Sequence, residues 1–196
     1  MRSADSHVAS RARQVILALC FSLSLSAQSD RDLLSAYLTE DMSVWKTYVD
    51  KNVDLSYEYG YCGYIVSADK EAARPYVQRF KSHILNLKSQ MPPGHYEMYM
   101  SAVYVFELRL HESIHPVKAM SLAKDAVKLA PSDPIVLSYY GTCLFYAPKP
   151  FGSKAEALSW FTKAESLFQA PQYEYSWMKK ANEMYIDQCR EKLKKN

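Results

Sequence analysis

Glycine is scarce in this sequence, with 5 residues among 196, which works against a glycine-punctuated β-sandwich or a phosphate-cradling loop. No stretch alternates apolar and polar residues with period two, so no segment reads as a half-buried strand. No CxxC occurs, and Cys62, Cys143 and Cys189 stand far apart; neither a zinc cluster nor a thioredoxin-type redox site is suggested. A G-x-S-x-G elbow and a paired-carboxylate motif are also missing. Nor is there an excess of one charge: 24 basic against 21 acidic residues give +3, of which Arg2, Asp5, Arg11 and Arg13 supply +2. Without a concentrated basic face to neutralise a phosphate backbone, nucleic acid is not an expected partner.

What is there is apolar and helical in period. Hydrophobic residues make up 48% and charged residues 23% of the chain, enough to bury the core of one domain. Near the N-terminus, Arg11 and Arg13 precede the run VILALCFSLSLSA (15–27), with the small residues Ser26 and Ala27 before Gln28. This is the layout of a cleavable signal peptide over 1–27, and it is shorter than the ~20 apolar residues of a membrane span. The expected place of the mature protein is outside the cytoplasm, periplasmic or secreted, with no transmembrane span after cleavage. Two alternatives stay open: a buried N-terminal helix, and a lipoprotein signal ending at Cys20, for which Leu19 is bulkier than the pattern wants. In an oxidising compartment one disulfide among Cys62, Cys143 and Cys189 would be allowed; three small buried hydrophobes are the alternative.

Prolines and the few glycines cut the rest into segments with three- and four-residue apolar spacing. Helices are expected over about 30–51, 55–67, 67–87, 97–111, 117–130, 135–146, 153–168 and 174–194. Ser67 with Glu71 supplies one start, Ser153 is a plausible N-cap, and Pro92, Pro93, Pro116, Pro131, Pro134, Pro148 and Pro171 mark breaks. Short helices in pairs describe an all-α array of α-hairpins.

Two of these helices repeat each other at an offset of 38 residues: Ala119, Ala123 and Ala126 recur as Ala157, Phe161 and Ala164. Small residues let a partner helix approach closely, and the bulky one fills the space between neighbouring units. Leu137, Tyr140, Gly141 and Leu144 give a matching first helix, with Gly141 in the small place; Val103, Phe106, Glu107 and Leu110 match it except that Glu107 replaces a small residue. Together these residues resemble the tetratricopeptide repeat. A four-residue insertion at the loop 147–152 accounts for the offset over the usual ~34. An earlier pair is fainter, with Tyr59, Cys62, Gly63 and Val66 in place and Ala73, Val77 and Phe80 displaced by two residues.

The resemblance implies a right-handed superhelical array over 55–171, in units of about 55–92 (degenerate), 100–133 and 134–171. A packing helix in 28–54 and a capping helix in 172–196 would flank it. It also implies a protein-binding scaffold of the bacterial cell envelope with no cofactor, whose concave face is lined by the first helix of each pair. Carried onto this sequence, the face comprises Tyr57, Tyr64, Tyr104, His111, Thr142, Phe145 and Tyr146, an aromatic groove suited to a peptide or protein segment with apolar anchors. Core packing is the alternative role for each of these aromatics. The lysine–arginine cluster with which some members clamp a terminal carboxylate is missing. Ala119, Ala126, Gly141, Ala157, Phe161 and Ala164 are the expected repeat-packing residues.

One motif points elsewhere. His111-Glu112-Ser113-Ile114-His115 spells HExxH, with which zinc peptidases place two imidazoles on one helical face. His111 and His115 would be the ligands, but Pro116 disfavours helical backbone at His115. Arg109 breaks the apolar setting, and Asp125, Asp133 and Glu156 are third-ligand candidates by order alone. No metal is therefore expected.

Overall fold

The computed structural model describes residues 30–111 and 116–195, and among these every regular element is helical. The N-terminal region, expected as one helix over 30–51, forms two: α1 (30–38) and α2 (Met42–Val49). Glu40 between them takes a left-handed backbone (φ 58°), and the Asp41 carboxylate accepts from the Ser43 N–H to start α2. A glutamate carries no sequence signal for that turn.

Three hairpins follow. α3 (Leu55–Ala68) and α4 (Lys70–Leu87) form the first, α5 (His95–Arg109) and α6 (Pro116–Leu129) the second, and α7 (Pro134–Tyr146) and α8 (Lys154–Leu167) the third. α9 (Trp177–Lys194) ends the chain. The starts are set by side chains that satisfy orphan N–H groups. Asp54 caps α3, Asp69 caps α4, Asp133 caps α7 with Pro134 in the first turn, and Ser153 accepts from the Glu156 N–H at α8. The cap of α4 is Asp69 rather than Ser67, and α9 begins at Trp177, after a short 3-10 turn over Pro171–Tyr173.

Within each hairpin the partners pack along their length, and α3, α5, α7 and α9 also contact one another in that order. Each second helix touches the next first helix: α4 on α5, α6 on α7, α8 on α9. The small residues sit at these contacts. Ala119, Ala123, Ala126, Ala157, Phe161 and Ala164 are all buried. A Cβ on Gly141 would come within 2.8 Å of the Phe161 ring, so α7 and α8 approach as closely as they do because residue 141 has no side chain. Ala73, Val77, Phe80 and Ile84 bury the α4 face at 0% exposure.

The chain also meets itself end to end. The Trp45 and Trp177 rings stand edge to face at 5.2 Å. The Trp177 indole N–H donates to Ser56 Oγ at 3.1 Å, and Arg31 donates to the Tyr175 hydroxyl at 2.7 Å. Gly60 makes room for this junction, since a Cβ there would collide with the Trp45 ring. α1, α2 and α9 thereby join across the face formed by α3, α5 and α7.

A candidate ligand cavity

That closure leaves a cavity of about 790 Å³, walled by α3, α5 and α7 and by α1, α2, α6 and α9. Its floor is apolar and well packed: Trp45, Ala102, Phe106, Trp177 and Met178 line it and are buried. Its mouth carries the exposed side chains of Leu38, Tyr64, Leu108, Tyr146 and Met184, with Glu40 and Arg109 as the charged members. The size falls within the ~300–1,000 Å³ range of small-ligand pockets.

Tyrosine hydroxyls supply most of the polarity inside. The Tyr59 ring stands amid Tyr99, Phe106, Tyr139 and Trp177, at centroid distances of 6.3, 6.0, 5.9 and 5.9 Å. Its hydroxyl has no hydrogen-bond partner among the described residues. Tyr146 and Tyr185 share a bond of 3.4 Å between their hydroxyls, and the Tyr37 hydroxyl lies 3.7 Å from Met184 Sδ. Burial pushes the Tyr37, Tyr59 and Tyr185 hydroxyls above their ordinary titration range, so they remain neutral donors at physiological pH. Tyr139 is committed elsewhere: it donates to Ser101 Oγ at 2.8 Å, which in turn donates to the Ala119 carbonyl at 2.7 Å. Arg109 donates to Ser67 Oγ at 3.1 Å and sits 5.9 Å from the Tyr146 ring, with no carboxylate partner among the described residues. Cys143 lines the cavity as a free thiol raised to about 11 by burial; Cys62 and Cys189 are free and buried.

The residues proposed from sequence for a concave face divide between this wall and the rest of the protein. Tyr64, Thr142 and Tyr146 line the cavity. Tyr57 lies in the core beneath α1, where its hydroxyl donates to Asp30 at 2.7 Å. Phe145 is 1% exposed and packs on Tyr185 at 5.5 Å, with Lys154 and Lys192 over its ring. Tyr104 is half-buried under the Lys118 ammonium, 4.6 Å from the ring centroid. His111 is exposed, with its Nε2 3.1 Å from Lys70 Nζ. The cavity residues not read from sequence, Tyr37, Tyr59, Arg109, Trp177 and Tyr185, come mostly from helices that sequence spacing marks only as packing and capping elements.

Of the HExxH string, His111 lies within the described residues. α5 ends at Arg109, and His111 follows with a left-handed backbone, φ 61°. Glu112 and His115 lie outside the described residues. Among the described residues no three His, Cys, Asp or Glu side chains gather as a metal site, and no helix is long and apolar enough to cross a membrane. Comparison with protein-family models, with curated proteins and with solved structures finds no match to this chain.

Proposed function

We propose that the chain is a non-enzymatic binding scaffold of the tetratricopeptide kind, exported to the bacterial cell envelope, that receives an apolar group of its partner in the α3–α5–α7 cavity. The observation that carries this reading is the cavity itself: about 790 Å³ of space behind an exposed aromatic mouth. Clefts of this size with an apolar lining and a few polar groups are the usual form of a binding site. Sequential contacts between first helices and the Gly141–Phe161 approach support the repeat assignment. The leader over 15–27 supports export.

The resemblance implies an aromatic groove lined by the first helix of each pair. With α1, α2 and α9 across it, the space suits an anchor, such as one or a few apolar side chains of a peptide or protein segment, or a molecule of that size. A peptidase reading has less support, because His111 stands beyond the end of α5 and its Nε2 faces the Lys70 ammonium, which repels a metal cation.

The test is a titration with Nile red, a neutral apolar dye, followed by its fluorescence. Saturable binding near one dye per chain is expected, and Thr142→Trp, which projects an indole from the wall into the cavity, weakens it while leaving helicity intact. Absence of saturable binding, or equal binding by a folded Thr142→Trp protein, refutes the cavity as the binding site.

A further inference from the structure

The polar side chains of the cavity are hydroxyls with one carboxylate, Glu40, and one guanidinium, Arg109, and the guanidinium has no carboxylate partner among the described residues. Tyr59 offers a hydroxyl with no hydrogen-bond partner among the described residues, Tyr146 and Tyr185 keep one free hydroxyl proton between them beside their 3.4 Å bond, and Arg109 offers guanidinium N–H groups at the mouth. The carboxylate of Glu40 is the acidic member of the wall, and it stands on the exposed rim. Of the other oxygens, Thr142 Oγ1 donates to the Ser138 carbonyl at 3.0 Å and the Tyr139 hydroxyl is held by Ser101. Backbone carbonyls of α3, α5 and α7 are engaged in helical bonds, apart from those of the last turns.

Hydroxyls accept as well as donate, so they can meet a peptide N–H or a carboxylate; the guanidinium of Arg109, which has no carboxylate partner among the described residues, can only donate. An ionised carboxylate brings acceptors alone, up to about four lone-pair sites, and matches a wall of hydroxyl and guanidinium donors. The apolar floor between Trp45, Trp177 and Met178 then calls for a hydrocarbon body attached to that acid. The charged groups, Glu40 and Arg109, both stand at the mouth, and no lysine, arginine or acid lines the floor.

Resting on the cavity as the binding site, we propose that its ligand is an apolar carboxylic acid of small-molecule size. The acid group is held at the mouth by Arg109 with the Tyr59, Tyr146 and Tyr185 hydroxyls, and the hydrocarbon lies on the tryptophan floor.

The experiment compares, by isothermal titration of the full chain, dodecanoate, dodecanol, dodecylamine and a short apolar peptide with a free C-terminus. The dodecyl probes are used below their micellar concentrations. Dodecanoate binds at least about tenfold more tightly than dodecanol, the scale expected for charge-assisted hydrogen bonds at a partly exposed site, and dodecylamine binds weakest. Arg109→Gln weakens dodecanoate more than dodecanol and so removes the preference for the acid. Tyr59→Phe, which keeps the ring, also weakens dodecanoate more than dodecanol. Equal binding of dodecanol and dodecanoate, or an acid preference that survives in Arg109→Gln, overturns the carboxylate assignment and leaves the cavity standing as a binding site. A peptide that outcompetes dodecanoate overturns the small-molecule assignment. Failure of every probe to bind refutes the cavity reading as well.

Discussion

Replacing Gly141 by alanine sets two effects of opposite sign against each other. Alanine in a helix interior is favoured over glycine by about 0.8–1 kcal/mol. Against that, the new Cβ would lie 2.8, 2.9 and 3.1 Å from three carbons of the Phe161 ring. Phe161 cannot swing aside, because it is fully buried and stacked on Tyr185 at 5.2 Å with an interplanar angle of 7°. Overpacking of this kind costs about 1–3 kcal/mol, so the net expectation is a loss of about 1 kcal/mol. For a domain of this size, that lowers Tm by about 2–4 °C. Thermal melts followed by circular dichroism provide the measurement, and Phe161→Leu supplies the control. In the double variant Gly141→Ala, Phe161→Leu the two changes couple favourably, since each relieves the other. A Gly141→Ala protein that melts above the parent would refute the close approach of α7 and α8 and, with it, the small-residue logic of the repeat.

Phe145→Ala is expected to cost about 3–5 kcal/mol in chemical denaturation, because its ring is buried against Tyr185 and is not replaced by water. Nile red affinity of the protein that remains folded should change little, as Phe145 does not line the cavity. Ser101→Ala, which removes one buried partner of the Tyr139 hydroxyl and of the Ala119 carbonyl, should cost about 1 kcal/mol, and Tyr139→Phe less. Ser153→Ala removes the cap of α8 and is expected to lower stability by about 1 kcal/mol. Cys143 should react slowly with iodoacetamide at pH 7, because burial raises its thiol to about 11 and the thiolate is the nucleophile. Alkylation should quicken as pH rises toward that value and slow again when dodecanol fills the cavity that Cys143 lines; mass spectrometry against time reads both.

Much of the fold is legible in spacing alone. Residues three and four apart share a helical face, so Ala119 with Ala126, and Ala157 with Phe161 and Ala164, mark the buried stripe before any coordinates are known. The closure of the array is not legible, because it depends on contacts such as Arg31 with Tyr175 and Ser56 with Trp177, which no local period encodes. The same gap explains the division of the proposed face. Tyr57 and Tyr64 lie seven residues apart on one side of α3, but α1 folds over the first and leaves the second 45% exposed. Phe145 and Tyr146 are adjacent and therefore point about 100° apart around α7; one enters the core and the other stands at the mouth. Within the N-terminal helices, the turn at Glu40 lies between Tyr37 and Trp45, which both meet the Trp177 ring, and no turn-forming residue marks it in the sequence.

The methionines give the most direct access to the central claim that the joined array forms a ligand cavity. Met42, Met120, Met178 and Met184 line it, whereas Met91, Met98 and Met100 do not. Carbon-13 methyl spectra of methionine-labelled protein, titrated with dodecanol, should show saturable shifts confined to the first four. Shifts in Met91, Met98 and Met100, or no saturable shift at the four cavity methyls, would contradict the account.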